Sequence, residues 1–176
     1  MALINTTTTG NYGTAYAGDS SGTLTIQKDG VTIAKVVDAP AFSAYPSVAL
    51  SLTANVDTKV VLPNESYDTA NCFDTSASRF TPNVAGYYLA TGIVTIGSAT
   101  WGSNPTLQCQ IRKNGGVVVN AEANPNANWS SSSATCIVYM NGTTDYLELY
   151  AAATSNVSAV QYGGYTMLSG CLMKAT

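Results

Sequence analysis

Histidine is absent from this chain of 176 residues. That removes the side chain that most often moves protons at neutral pH and most often ligates zinc. A Ser-His-Asp or Cys-His nucleophile system is therefore impossible within one chain, while catalysis by carboxylates stays open. Charge is scarce as well. Asp, Glu, Lys and Arg make up 10% of the residues, against about 25% in ordinary globular chains. The seven cations, Lys28, Lys35, Lys59, Arg79, Arg112, Lys113 and Lys174, are thinly spread in a chain of net charge -3. Counterion release from a nucleic acid needs clustered Lys and Arg, so nucleic acid is excluded as a partner.

Long apolar runs are missing too. None approaches the ~20 residues of a membrane helix, so no membrane insertion is expected. The N-terminal stretch MALINTTTTGNYGTAYAG has neither the basic patch nor the apolar centre of a secretory signal. A role outside a cell would then require release by lysis or a dedicated route. The four cysteines, Cys72, Cys109, Cys136 and Cys171, form no CxxC, so metal and thioredoxin-type readings have no support in their spacing. Two readings stay open for them. They are small buried thiols made in a reducing cell, the plainer reading, or they pair as disulfides.

Ser, Thr, Asn and Gly take the place of charge. A neutral polar surface of this kind suits close protein-protein packing, because few ions need desolvating. Helical spacing of apolar residues is almost absent, and two-residue alternation is common. GTLTIQKDGVTIAKVV reads as a hairpin, with Asp29-Gly30 supplying its tight turn. The proline-containing DAPAFSAYPS then marks a boundary. It divides an N-terminal attachment segment, 1–40, from a head, 41–176. Candidate strands of the head are Val48–Leu52, Lys59–Leu62, a long Tyr67–Thr81 region, Gly86–Ile96, Thr106–Lys113, Gly116–Asn120, Ser133–Met140, Asp145–Ala152 and Gly164–Met173. Short strands at this spacing, with Asn114-Gly115-Gly116 and Asn141-Gly142 as turns, predict an all-β sandwich or jelly roll. ANPNANWSSSS, after Glu122, reads as a loop.

The stretch RFTPNVAGYY, Arg79 to Tyr88, is arranged for geometry. Phe80 can anchor a strand end in the core. Pro82 suits a strand terminus. Gly86 permits close backbone approach, and Tyr87 and Tyr88 must point to opposite faces. AFSA (41–44), KVVL (59–62), SYDTANCFD, RFTPNVAGYY, IRKNGG (111–116), MNGTTDYLELY (140–150) and YTMLSGCLM (165–173) together resemble the globular head of complement component 1q. That head shares its jelly roll with tumour necrosis factor. The resemblance spans roughly Ala41 to Met173. The chain departs from it by lacking a residue between Phe-Thr and Pro, by stretching Gly-Asp to Gly-Thr-Thr-Asp, and by closing with Met-Leu in place of Phe.

The resemblance implies an all-β jelly-roll sandwich that assembles as a homotrimer, here preceded by a short N-terminal β-hairpin segment. On that basis one of Tyr87 and Tyr88 enters the core and the other meets a neighbour. In TDYLELYAAA, Tyr146, Glu148 and Tyr150 share a face that is too aromatic for solvent and too polar for a core. Tyr88, Tyr146, Tyr150 and Tyr162 are the expected trimer-interface residues. Trp129 and Trp101, with Asn126, lie in loop-like contexts. They are candidate contacts for a glycan, with packing on the domain's own surface as the plainer alternative. Asp57, Glu65, Asp68 and Asp74 cluster in sequence and could ligate calcium or simply be solvated; no glycosidase pair is singled out. No catalytic, metal or cofactor residue is assigned, and no cofactor is expected.

Neutral trimers of this type without a secretion signal look like virion surface proteins of bacteriophages. The expectation is a non-enzymatic capsid decoration protein or short head fibre, docked on another virion protein through its N-terminal segment. A receptor-binding tip of a tail fibre that holds host surface glycan is the alternative. A secreted carbohydrate-active enzyme is the third reading.

Overall fold

A computed structural model describes residues 39–97, 100–126, 129–160 and 163–176, together with the backbone of three N-terminal strands. Those three, β1 (Tyr16–Gly18), β2 (Leu24–Lys28) and β3 (Val31–Val36), form an antiparallel sheet. Leu24 pairs with Val36 and Lys28 with Val31 across the Asp-Gly turn position, so the hairpin forms.

The head then runs β4 (Ala41–Tyr45), β5 (Leu50–Leu52), β6 (Thr58–Lys59), β7 (Asn64–Asp68), β8 (Phe73–Asp74), β9 (Arg79–Phe80), β10 (Gly86–Ile96), β11 (Leu107–Lys113), β12 (Gly116–Ala123), β13 (Ser130–Met140), β14 (Leu147–Ala153), β15 (Val157–Val160) and β16 (Met167–Ala175). A single 3-10 turn, Gly163–Tyr165, precedes β16. One sheet has the order β7-β4-β16-β10, with β13 on the far side of β10 and the short β15 and β5 at one end. The other has the order β12-β11-β14-β9-β8, with β6 also paired to β14. All described pairings are antiparallel. The two sheets face each other as a jelly-roll sandwich.

The core between them follows from alternation. Along β10, Tyr88, Ala90, Gly92 and Val94 are buried while Tyr87, Leu89, Thr91 and Ile93 face out. Leu107, Cys109 and Ile111 of β11 and Leu147, Leu149 and Ala151 of β14 meet them from the second sheet. Phe42, Phe73 and Phe80 stack at the centre of one half, with the Phe42 and Phe80 rings 4.1 Å apart. Side chains of this size each contribute roughly 1.5–3 kcal/mol on burial, so this cluster is a main source of the head's stability.

RFTPNVAGYY behaves as a built corner. Phe80 and Pro82 are buried. The Tyr88 hydroxyl donates to the Val84 carbonyl at 2.8 Å, tying the turn to the strand that follows it. The Tyr88 ring meets Phe80 edge-on at 5.6 Å. Tyr88 is therefore a core residue of its own subunit, and its assignment to an interface is corrected. The tyrosine that faces outward is Tyr87. Gly86 is enclosed, as its place in the motif requires; a Cβ there would strike the Lys174 carbonyl and the Leu172 side chain.

Other expectations shift at their edges. The long 67–81 region is three short strands broken by turns. Asp68 accepts from the Ala70 and Phe73 amides, and Asp74 from the Ser76 and Ala77 amides, which is how these carboxylates are used. AFSAY is a full strand hidden between two prolines. β13 begins at Ser130, because Ser130–Ser133 pair with Ile93–Ile96 despite a composition that reads as loop. Tertiary pairing outweighs strand propensity there.

Tyr88→Phe should lose about 1 kcal/mol of unfolding free energy by leaving the Val84 carbonyl unpaired. Gly142→Ala should lose about 3 kcal/mol. Gly142 has φ +74°, and an added Cβ would run into the Val84 and Ala85 backbone. Urea titrations read both, and the Tyr88→Phe loss should not depend on protein concentration. A concentration-dependent loss would return Tyr88 to an interface.

Candidate functional site

The outward face of the β7-β4-β16-β10-β13 sheet can be read row by row from its register. Tyr87 stands between Tyr139 and Lys174; Leu89 between Ile137 and Cys171; Thr91 between Thr135 and Ser169; Ile93 between Ser133 and Met167. Ser43 and Ala41 of β4 continue the rows beside Ser169 and Cys171. Tyr87 and Tyr139 touch edge-on at 5.6 Å. Ile137 is 64% exposed and Tyr87 46%. Lys174 is the one charged member of these rows. From the edge, the Lys113 ammonium reaches over the Tyr139 ring and donates to the Tyr139 carbonyl at 2.7 Å. The rows thus make one contiguous, nearly uncharged face that carries exposed Ile and Tyr.

The outward face of the second sheet is opposite in character. Glu148 is only 3% exposed. Its Oε1 accepts from Lys59 Nζ at 2.6 Å and Arg79 Nη2 at 2.9 Å. The Arg79 guanidinium lies over the Tyr146 ring at 4.0 Å, and that of Arg112 over Tyr150 at 4.1 Å. Arg112 also pairs with Asp57 and donates to Gln110. The Tyr-Glu-Tyr face exists as its alternation requires. Its tyrosines each carry an arginine of their own chain over the ring and stay half-buried, so the face combines aromatic and cationic groups.

A third network closes the end where the Gly86 edge, the Lys113–Gly116 turn and the chain terminus meet. Asp145 accepts from Lys113 Nζ (2.7 Å), Asn114 Nδ2 (2.7 Å) and the Asn141 amide (2.9 Å). Asn141 Oδ1 in turn accepts from the amides of Thr143, Thr144 and Asp145. These contacts, led by the lysine, hold the Asp145 carboxyl below its ordinary value. The stretched Gly-Thr-Thr-Asp turn is thus fully wired.

The opposite end carries the loops. Trp129 is 51% exposed and packs against Tyr165, itself 58% exposed, with ring centres 5.6 Å apart and planes tilted by 59°. Asn126 is exposed. Trp101 is half-buried and packs on the core. Tyr162 lies outside the described residues. The four cysteines are free thiols, and burial pushes the Cys109 thiol up to about 12. Among the described residues no three His, Cys, Asp or Glu side chains gather to hold a metal ion. Sequence reasoning passed over Ile137, Tyr139 and Tyr165, and left open which of Tyr87 and Tyr88 faces outward. TCIVYM did carry a usable signal, since it alternates Ile137 and Tyr139 against Val138 and Met140.

No protein-family model and no curated protein matches the sequence. Solved structures do match. The globular domain of zebrafish complement 1qA protein superposes with TM-score 0.59 at 14% identity, covering 78% of this chain and 98% of that one. Murine APRIL gives 0.58 at 11%, covering 77% and 99%. Eiger TNF from S. frugiperda gives 0.55 at 9%, covering 78% and 93%. The fold is the jelly roll of the complement 1q and tumour necrosis factor type.

Glu148→Gln should cost about 3 kcal/mol, since it leaves Lys59 and Arg79 together without their counter-charge; thermal unfolding at neutral pH measures it. For Asp145 the sign follows from its depressed pKa. Its contribution is complete above the ordinary value of 3.8 and is lost as pH falls through the lower folded value. Asp145→Asn should therefore be less stable than the parent at pH 7 and converge with it toward pH 2, as urea midpoints across that range will report.

Proposed function

We propose that this chain is a non-enzymatic assembly module that works as a homotrimer on the surface of a bacteriophage virion, as a capsid decoration protein or short head fibre. The observation that carries the assembly is the nearly uncharged Tyr87/Leu89/Ile137/Tyr139 face, which the described residues leave open. Two further copies are the occupant. Identical faces with Lys174 as the one charged member of their rows bring few like charges together around an axis, and the resemblance to complement 1q heads implies threefold closure. The remaining surface supports a structural role over catalysis, because Asp57, Asp68, Asp74, Asp145 and Glu148 are each committed to a cation, an amide or a turn.

The virion placement draws on the two-ended build of the molecule. The chain enters β4 beside the Gly86 end, where Leu172 donates to the Pro40 carbonyl and Thr176 to that of Ala85. The small sheet of β1–β3 precedes this entry and is the docking piece for another virion protein. The Trp129–Tyr165 pair lies at the far end and would be presented outward. That pair favours a second reading, a receptor-binding tip.

Light scattering on the eluting peak should give about three times the 18.2 kDa chain mass at micromolar concentration. Ile137→Asp should convert the trimer to monomer with the fold intact. A parent chain that stays single overturns the assembly. Removal of residues 1–40 should leave the trimer whole but abolish its retention on the source particle, and undiminished retention overturns docking through this segment.

A further inference from the structure

We propose that Trp129 and Tyr165 form a binding corner for a neutral pyranose ring. This deepens the receptor-tip reading by naming the chemical class it would hold, and it does not require virion docking.

The corner is built rather than incidental. Two large rings are each more than half exposed while touching one another, and their tilt leaves an open angle with two apolar walls. Both are set on the sheet. Trp129 directly precedes β13. Tyr165 ends the 3-10 turn, and its carbonyl accepts a hydrogen bond from Thr95 Oγ1 at 2.6 Å. The next residue, Thr166, is fully buried, and its Oγ1 accepts from the Thr95 amide at 3.0 Å. The turn is thereby fixed at two successive residues.

The hydroxyl chemistry beside the corner is also determined. Thr95 Oγ1 has one proton, and it goes to the Tyr165 carbonyl. The 2.7 Å contact between Thr95 Oγ1 and Ser131 Oγ must then be donated by Ser131. Ser131 is exposed, so its remaining capacity is to accept, two residues from Trp129. A ligand fitting here offers apolar C–H edges to the rings and O–H donors to Ser131, which describes a sugar.

Charge decides which sugars. Lys59, Arg79 and Arg112 belong to the outward face of the second sheet, Lys113 binds Asp145, and Lys174 stands in the Tyr87 row at the opposite end. No described cation serves the corner, so a carboxylated or sulfated sugar gains nothing from its charge.

The test uses the full chain carrying Trp101→Phe, so that Trp129 is the one tryptophan. Tetrasaccharides of glucose, galactose and N-acetylglucosamine are titrated against its emission, with tetragalacturonate as the acidic comparison. At least one neutral tetrasaccharide should give a saturable change, and tetragalacturonate a weaker one. Tyr165→Phe should retain binding, whereas Tyr165→Ala should weaken it by about three- to tenfold. Light scattering should show the same oligomeric state for Trp129→Ala and Tyr165→Ala as for the parent. The proposal is overturned by emission that no neutral tetrasaccharide alters, by tetragalacturonate binding as well as its neutral counterparts, or by Tyr165→Ala binding like the parent. Dissociation of Trp129→Ala into monomers also overturns it, because the corner would then be a subunit contact; the assembly reading would survive that result.

Discussion

Side chains of β10 alternate between two sheet faces, and the parity is set where the strand begins. Gly86 lies against the backbone of Lys174 and Ala175, in a space that no Cβ can share. With Gly86 turned inward, Tyr88, Ala90, Gly92 and Val94 must follow it into the core, and Tyr87, Leu89, Thr91 and Ile93 must face away. The Tyr88 hydroxyl then locks the parity by reaching back to Val84 across the corner. A slip of one residue would bury Thr91 and expose Val94. It would also push a side chain into the gap at Gly92, where a Cβ would meet Leu149. The composition of the outward face is thus a direct consequence of how the core is filled.

The few charges of the chain are distributed by the same logic. A buried carboxylate such as Glu148 is tolerated only with its counter-charges in place, and Lys59 and Arg79 both converge on it. The outward face of the second sheet takes up most of the head's cations in this way, stacking two of them on Tyr146 and Tyr150. The rows of the first sheet's outward face are left with hydroxyls, a thiol, aliphatic groups and phenols, and with Lys174 as their one charge. Scarcity of charge in the composition therefore has a location. It is a near-neutral plane on one side of the sandwich, where packing against another copy costs little desolvation.

Much of this was legible beforehand. The alternation in GYYLATGIVTI and the turns at Asn114-Gly115 and Asn141-Gly142 fixed the strands around them, and the ordered motifs fixed the jelly roll. What stayed hidden was whatever depended on a contact distant in sequence. Tyr87 and Tyr88 are interchangeable in a list of residues; only the Lys174 backbone pressed on Gly86 tells them apart. Tyr146 and Tyr150 look unpartnered until Arg79 and Arg112, far away in the chain, are placed over them. The serines of β13 look like loop until Ile93–Ile96 pair with them. Trp129 was visible as a loop tryptophan, but its neighbour Tyr165 could be found only through the turn that Thr95 holds.

The two ends of the sandwich are held by different physics, and that difference bears on what each end can do. At the Gly86 end, Asp145 and Asn141 gather backbone amides and a lysine into a closed set, and the chain's own terminus is tied to Ala85. Few polar groups are left there with spare capacity. At the other end the polar groups are used only in part. The Thr95–Ser131 pair fixes the backbone yet leaves an outward-facing acceptor, and two aromatic rings support each other while keeping more than half their surface open. Rigid backbone beneath incompletely satisfied side chains is what recognition requires, because binding then costs little ordering of the protein. The closed set at one end and the pre-ordered aromatic corner at the other thus follow from how completely each end's polar groups are satisfied.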